Sequence, residues 1–198
     1  MEKQTKWLVD TAHSDITFKI RHLMIANVKG SFKIFDASIY TNGDDFTTAE
    51  IDLWIDVSSI TTGDAKRDEH LKSGEFFDVL NHKQITFVSS GLVQTGENNT
   101  WELWGELTIK GITKHVELYV EYGGLMKDPW GNHKAGFTIT GAINRKDWDL
   151  TWNTNLDSGG VMLGDEIKIT CEVELIKAKK GELAMNLAEA TEAEGISS

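Results

Sequence analysis

Cysteine and proline are almost absent: Cys171 and Pro129 are the sole examples in 198 residues. A single cysteine excludes an internal disulfide and a thiolate metal cage, and its inward phase in a strand pattern makes it a small core residue. With one proline against 18 glycines, turns fall to Gly, Asn and Asp. Positive charge is scarce too: 20 Lys and Arg face 31 Asp and Glu, a net charge of −11. That balance argues against nucleic acid, which needs a basic stripe, and against an electrostatic anchor on an anionic membrane. No apolar run approaches the ~20 residues of a membrane span, so no membrane insertion is expected. The polar start, Met1 to Lys6, carries no targeting signal. The chain as it stands reads as cytoplasmic, and as periplasmic if a signal peptide has been removed ahead of it.

Motifs that carry chemistry are missing as well. His13-Ser14-Asp15 has the residue types of a hydrolase triad, but neighbours on a strand point to opposite faces and cannot form the relay. There is no Gly-x-Ser-x-Gly elbow and no His-Glu-x-x-His. The six histidines (His13, His22, His70, His82, His115, His133) are scattered without metal-ligand spacing. Gly123-Gly124 lacks the Lys-Ser/Thr of a phosphate loop. No catalytic residue, metal or cofactor is expected.

What is present is alternation. Ile16, Phe18, Ile20 and His22 share one face; Val28, Gly30, Phe32 and Ile34 repeat the pattern, and Phe35, Ala37 and Ile39 continue it with the phase shifted by one. That shift implies a bulge or bend near Ile34-Phe35. The pattern returns at 49–57, 85–87, 101–109, 116–122, 135–143 and 167–175, about eight strands with one apolar face each. Hairpin turns fit Thr41-Asn42-Gly43-Asp44-Asp45, Gly96-Glu97-Asn98-Asn99 and Lys110-Gly111-Ile112-Thr113. An antiparallel sheet with one dry side must cover it, by a second sheet or by closing on itself. The reading is all-β: an eight-stranded up-and-down barrel, with a sandwich as the alternative. Asp64 to Lys72 reads as a two-turn helix between strands, capped by Asp64 and stopped by Gly74. Residues 1–177 form the single domain. Residues 178–198 form a polar tail, partly disordered or with a short helix through Leu183 and Leu187.

If the strands close, the interior offers Phe18, Phe32, Phe87 and Phe137, many aliphatics, and the inward glycines Gly30, Gly105 and Gly141, which are expected to leave volume unfilled. A fully packed core is the other reading. Phe76-Phe77 is placed across one end as a lid or plug. Trp54 and Trp104 fall on outward phases and Trp148 and Trp152 near a turn, as a stacking platform or a subunit contact.

A series of short motifs runs from Trp7-x-x-Asp10-x-x-His13-Ser14 through Phe18-x-x-x-His22, Val28-x-Gly30-x-Phe32, Ser59-Ile60-Thr61-Thr62, Asp68-x-His70-Leu71-Lys72-Ser73 and Phe76-Phe77-Asp78. It continues with Ile85-x-Phe87, Gly105-x-Leu107-Thr108-Ile109-x-Gly111, Asn144-Arg145-x-Asp147-Trp148 and Gly164-Asp165-x-Ile167, and covers residues 7–177. In the order and spacing of these motifs the chain resembles the YceI-like family, the lipocalin-like polyisoprenoid-binding proteins of bacteria. Two departures stand out: Lys83-Gln84 where the family often has Pro, and Asp149 where it often has Gly. The resemblance implies an extended lipocalin-like barrel whose channel holds a long isoprenoid, such as a polyprenyl phosphate or a quinone tail, and a homodimer. Channel contacts are then expected from Phe18, Ile20, His22, Phe32, Leu53, Ile55, Phe76, Phe77, Phe87, Leu107, Phe137 and Ile139, and head-group contacts from Arg67, His70 and Arg145.

Burying one isoprene unit contributes about 3 kcal/mol at ~0.8 kcal/mol per carbon group, less the cost of ordering the chain. Without Lys179, Lys180 and the four glutamates of the tail, the folded part keeps a net charge of −9. An acidic shell favours a neutral quinone or hydrocarbon head over a pyrophosphate, unless Arg67, His70, Arg21 or Arg145 reverse it locally. The leading function is non-enzymatic binding, storage or transport of an isoprenoid lipid. The alternatives are a small enzyme acting on an amphipathic substrate with His22 or His70 as base, and an interaction protein acting through Trp54 and Trp104.

Overall fold

A computed structural model describes residues 4–96, 99–157 and 159–179. The strands are β1 (Gln4–Val9), β2 (Asp15–His22), β3 (Ala26–Phe32), β4 (Phe35–Asn42), β5 (Asp45–Asp56), β6 (Ile60–Thr61), β7 (Gln84–Gln94), β8 (Thr100–Ile109), β9 (Ile112–Lys127), β10 (His133–Asn144) and β11 (Leu163–Lys177). Among the described residues there is one α-helix, α1 (Ala65–Lys72), between β6 and β7. All pairings are antiparallel. β4 pairs with β1 and β3 with β2, while β5 pairs with β4 and β6 with β3. β11 pairs along one stretch with β2 and along another with β1. Thus β1 and β2 make one interrupted wall strand, as do β3 with β4 and β5 with β6. With β7 to β11 they close an eight-stranded up-and-down barrel, which removes the sandwich alternative. Alternation missed β1, because Gln4 to Val9 is short and Trp7 is its one fully buried residue.

The phase shift near Ile34 is physical. β3 ends at Phe32 and β4 begins at Phe35, and the Ser59 hydroxyl accepts hydrogen bonds from the backbone N–H of both Lys33 and Ile34 (3.0 Å each) while donating to Asp56 O at 2.6 Å. One serine therefore holds the bend where the β3–β4 path meets the β5–β6 path. α1 starts as expected, with the Asp64 carboxylate accepting from Arg67 N at 3.0 Å. It ends at Ser73, whose N–H returns to His70 O, so Gly74 is not its stop. The tight Lys110-Gly111 turn has both residues at positive φ (50° and 73°) between the paired Ile109 and Ile112, a type I′ hairpin. The helix expected through Leu183 and Leu187 lies outside the described residues.

The two ends of the barrel differ. At one end Trp7 is 0% exposed and its ring packs on Phe46 (centroids 4.7 Å apart), which meets Phe137 at 5.0 Å. Trp101 stacks on Tyr122 at 5.1 Å beside them. The Trp7 indole donates to the Thr41 hydroxyl at 2.9 Å, which donates onward to Gly43 O. These rings seal that end. At the other end stand α1, Phe76, Phe77 and the segment after β10, above inner walls whose inward side chains are only half buried.

Candidate ligand cavity

Inside the barrel is a cavity of about 570 Å³. Phe46, Phe137 and Leu175 form its floor, and aliphatics such as Leu53, Ile139 and Ile169 its walls. Cys171 also faces it; burial, helped by the Glu172 charge, pushes its thiol up to about 12, so it stays protonated. Apart from Thr17, the polar groups of the wall gather at the end opposite the aromatic floor: His22, Thr62, Lys66, Arg67, His70, Arg145 and the indole of Trp152. Lys66 and Arg67 reach solvent there, and this end is the mouth. Among the described residues, the cavity wall includes no carboxylate.

All twelve residues expected in the channel border this one cavity: Phe18, Ile20, His22, Phe32, Leu53, Ile55, Phe76, Phe77, Phe87, Leu107, Phe137 and Ile139. The inward glycines are a correction. A Cβ on Gly30 would lie 2.8 Å from Phe18 Cε1, and one on Gly105 would lie 2.6 Å from Val88 O and against the Phe87 ring. The space without a side chain is filled by the ring of the neighbouring strand, so these glycines do not create the cavity. It persists because the half-buried inward side chains toward the mouth do not meet across the barrel.

The head-group candidates part company. Arg67 donates from Nε and Nη2 to the Thr62 hydroxyl and carbonyl (2.7 and 3.0 Å), and its Nη1 has no hydrogen-bond partner among the described residues. His70 Nε2 is 2.5 Å from Glu75 Oε2, and its ring stands edge-on to Phe76 and Trp152 at 5.0 and 4.8 Å. Arg145 is a correction. It is 1% exposed and donates to Gly164 O at 2.9 Å, to Trp152 O at 2.9 Å and to Leu150 O, with Asp165 at 3.5 Å. It clamps the segment that follows β10 and has almost no donor left for a ligand. Sequence reading missed Lys66 and Thr62, since it located the helix along the chain but not against the barrel.

Trp148 is not a platform either: it is buried and donates to Leu107 O at 3.1 Å. On the outer side of the β10–β11 ladder, Asp10, His13 and Glu174 come within 4.8 Å of one another. Lys134 already supplies the cation, 3.0 Å from Asp10 and 2.5 Å from Glu174. Burial alone would raise the Asp10 carboxyl, but hydrogen bonds from Lys134 and His13 outweigh it and hold it at about 2.

A model of the YceI-like domain matches residues 7–175. The chain belongs to the YceI-like family. A UPF0312 protein of Staphylococcus aureus (strain MSSA476) is 40% identical over 171 residues, which cover 86% of this chain and 96% of that protein. The Campylobacter jejuni YCEI crystal structure is 34% identical with a TM-score of 0.70, over 86% of this chain and 96% of that one. A polyisoprenoid binding domain from Saccharophagus degradans, implicated in plant cell wall breakdown, shares the fold at 16% identity. Its TM-score is 0.68, over 87% of this chain and 98% of that chain.

Much of the motif that marks this YceI-like chain is scaffold. Ser14 Oγ accepts from Glu174 N at 2.9 Å, Asp68 accepts from Thr62 N and its hydroxyl, and Asn144 caps Lys146 N. Asp149, where the family often has glycine, sits in the left-handed region at φ 56° and caps the turn that holds Trp148. A short polar side chain tolerates that conformation.

Proposed function

We propose that this protein binds a long-chain isoprenoid lipid in its barrel and carries or stores it without chemical turnover. The observation that carries this reading is a deep apolar cavity, sealed by aromatics at the floor, with its cationic groups gathered at the mouth. A branched hydrocarbon chain fits such a wall by shape and length, with no directional bond needed below the mouth. The polyisoprenoid binding domain of the same fold from Saccharophagus degradans supports the same class of ligand. A carrier is favoured over an enzyme because the described lining is almost wholly apolar, and the carboxylate that meets His70, Glu75, stands exposed outside that lining.

The net charge of −11 favours a neutral head, but the head would meet the mouth rather than the whole surface. There Lys66, the Nη1 of Arg67 and His70 favour a head rich in acceptor oxygens, anionic or carbonyl-bearing. The test is organic extraction of the purified protein followed by mass spectrometry. A stoichiometric isoprenoid is expected, and Lys66→Glu with Arg67→Glu should shift its head groups toward uncharged species. An empty protein that also fails to take up added polyprenyl phosphate or quinone would overturn the reading.

A further inference from the structure

The hairpin joining β2 to β3 ends in an unusual turn. His22 O accepts from Ile25 N at 3.2 Å, and the two central residues, Leu23 and Met24, both have positive φ (51° and 59°). This is the geometry for which Asn-Gly is suited and branched or bulky apolar residues are not. Yet the tip is Leu-Met-Ile, with Met24 59% and Ile25 82% exposed. A strained turn that holds large apolar side chains out in water calls for a function.

Two surroundings say what covers it. The tip adjoins the cavity: His22 and Val28, on its two strands, line the wall, and Leu23 N donates to the carbonyl of Met162, another wall residue, at 2.7 Å. On the outer face of the same hairpin, Lys19 stands directly opposite Lys29 on one side and Lys168 of β11 on the other. Like charges in register across strands are unfavourable, and they are out of character in a chain of net −11. Only Lys168 has an acidic partner, Glu166 at 3.7 Å; Lys19, Lys29 and the nearby Arg21 have no ion pair among the described residues. Ile16 to Phe35 contains no Asp or Glu.

We propose that this hairpin docks the cavity mouth on an anionic membrane surface, with Met24 and Ile25 in the interface and the lysine row facing lipid phosphates. The purpose rests on the lipid reading above: a chain leaving the cavity beside His22 would pass into the bilayer without crossing water. The protein then sits on a membrane and does not span it.

The test uses the full chain and isoprenoid-free vesicles of phosphatidylcholine, with and without phosphatidylglycerol. Co-sedimentation should need phosphatidylglycerol and weaken with salt. Leu23→Asn with Met24→Gly and Ile25→Thr installs the favoured turn chemistry, so the melting temperature should hold or rise while vesicle binding falls at least tenfold. Lys19→Glu with Lys29→Glu should abolish the dependence on phosphatidylglycerol. No co-sedimentation of the parent chain, or binding unchanged in the tip variant, overturns the proposal. So does a tip variant that changes only the oligomeric state, since the tip would then be a contact between copies. Extraction of the same samples separates the two readings: retained lipid without docking defeats this one alone, and docking without lipid defeats the cavity reading alone.

Discussion

The sealed and open ends of this barrel are built from the same alternating strands, yet one is core and the other is cavity. At the sealed end inward positions carry Trp7, Phe46, Trp101 and Phe137, whose rings span the barrel and meet. Toward the mouth the inward positions carry Ile143, Ile167, Ile169 and Val28, which are too short to meet and remain half buried. The charges differ in the same sense. Outside the floor, Lys134 is paired with both Asp10 and Glu174, whereas around the mouth Lys66, Lys19 and Lys29 have no ion-pair partner among the described residues. Side-chain reach, not strand pattern, decides where a barrel is solid.

The largest expected effect comes from breaking the floor. Trp7→Ala removes a fully buried indole, its ring contact with Phe46 and its hydrogen bond to Thr41. A loss of about 3–5 kcal/mol is expected in urea unfolding. A smaller loss should follow where a strand approaches a neighbouring ring. Gly105→Ala pushes a methyl against the Phe87 ring and the fixed carbonyl of Val88, and should cost about 1–3 kcal/mol. Gly141→Ala meets chiefly the end of the Leu118 side chain, which can turn away, and should cost clearly less. Equal losses would mean that the barrel wall, not the ring, sets the limit. At the mouth the same logic predicts almost no loss: Ile169→Trp adds bulk to open space, so urea stability should change by less than about 1 kcal/mol while extracted lipid falls. A destabilisation as large as that of Gly105→Ala would show the cavity to be smaller than its walls suggest.

Much of this was legible beforehand. Period-two alternation, Gly-rich turns and the Asp64 cap carried the barrel and its helix, because both are local signals. What was not legible depended on register. Gly30 and Gly105 look like gaps along their own strands, and only the pairing brings Phe18 and Phe87 over them. Arg145 has the right charge for a head group, but the carbonyls of Leu150, Trp152 and Gly164 that claim it come from a loop and a strand brought in by the fold. The opposed Lys19 and Lys29, likewise, are ten residues apart in the chain and become neighbours only in the hairpin.

The smallest expected effect separates the paired charges of the sealed end from the unpaired ones of the mouth. The Asp10 carboxyl lies at about 2, below its ordinary 3.8. Its contribution to stability is therefore complete above pH 3.8 and is lost as pH falls toward 2. The hydrogen bonds that Lys134 donates to Glu174 and Asp10 raise it to about 12 from 10.5, so its contribution is complete below pH 10.5 and is lost as pH rises through 12. Between those limits neither Asp10 nor Lys134 changes charge, so this pair leaves urea stability flat. Asp10→Asn should remove most of its acid limb, whereas Lys66→Met and Lys19→Met at the mouth should leave both limbs in place, since neither lysine has an ion-pair partner to lose among the described residues. An acid limb that survived Asp10→Asn would move the origin of the pH dependence away from the floor, to the carboxylates of α1 such as Asp68, which Thr62 holds below its usual range against the opposing effect of burial.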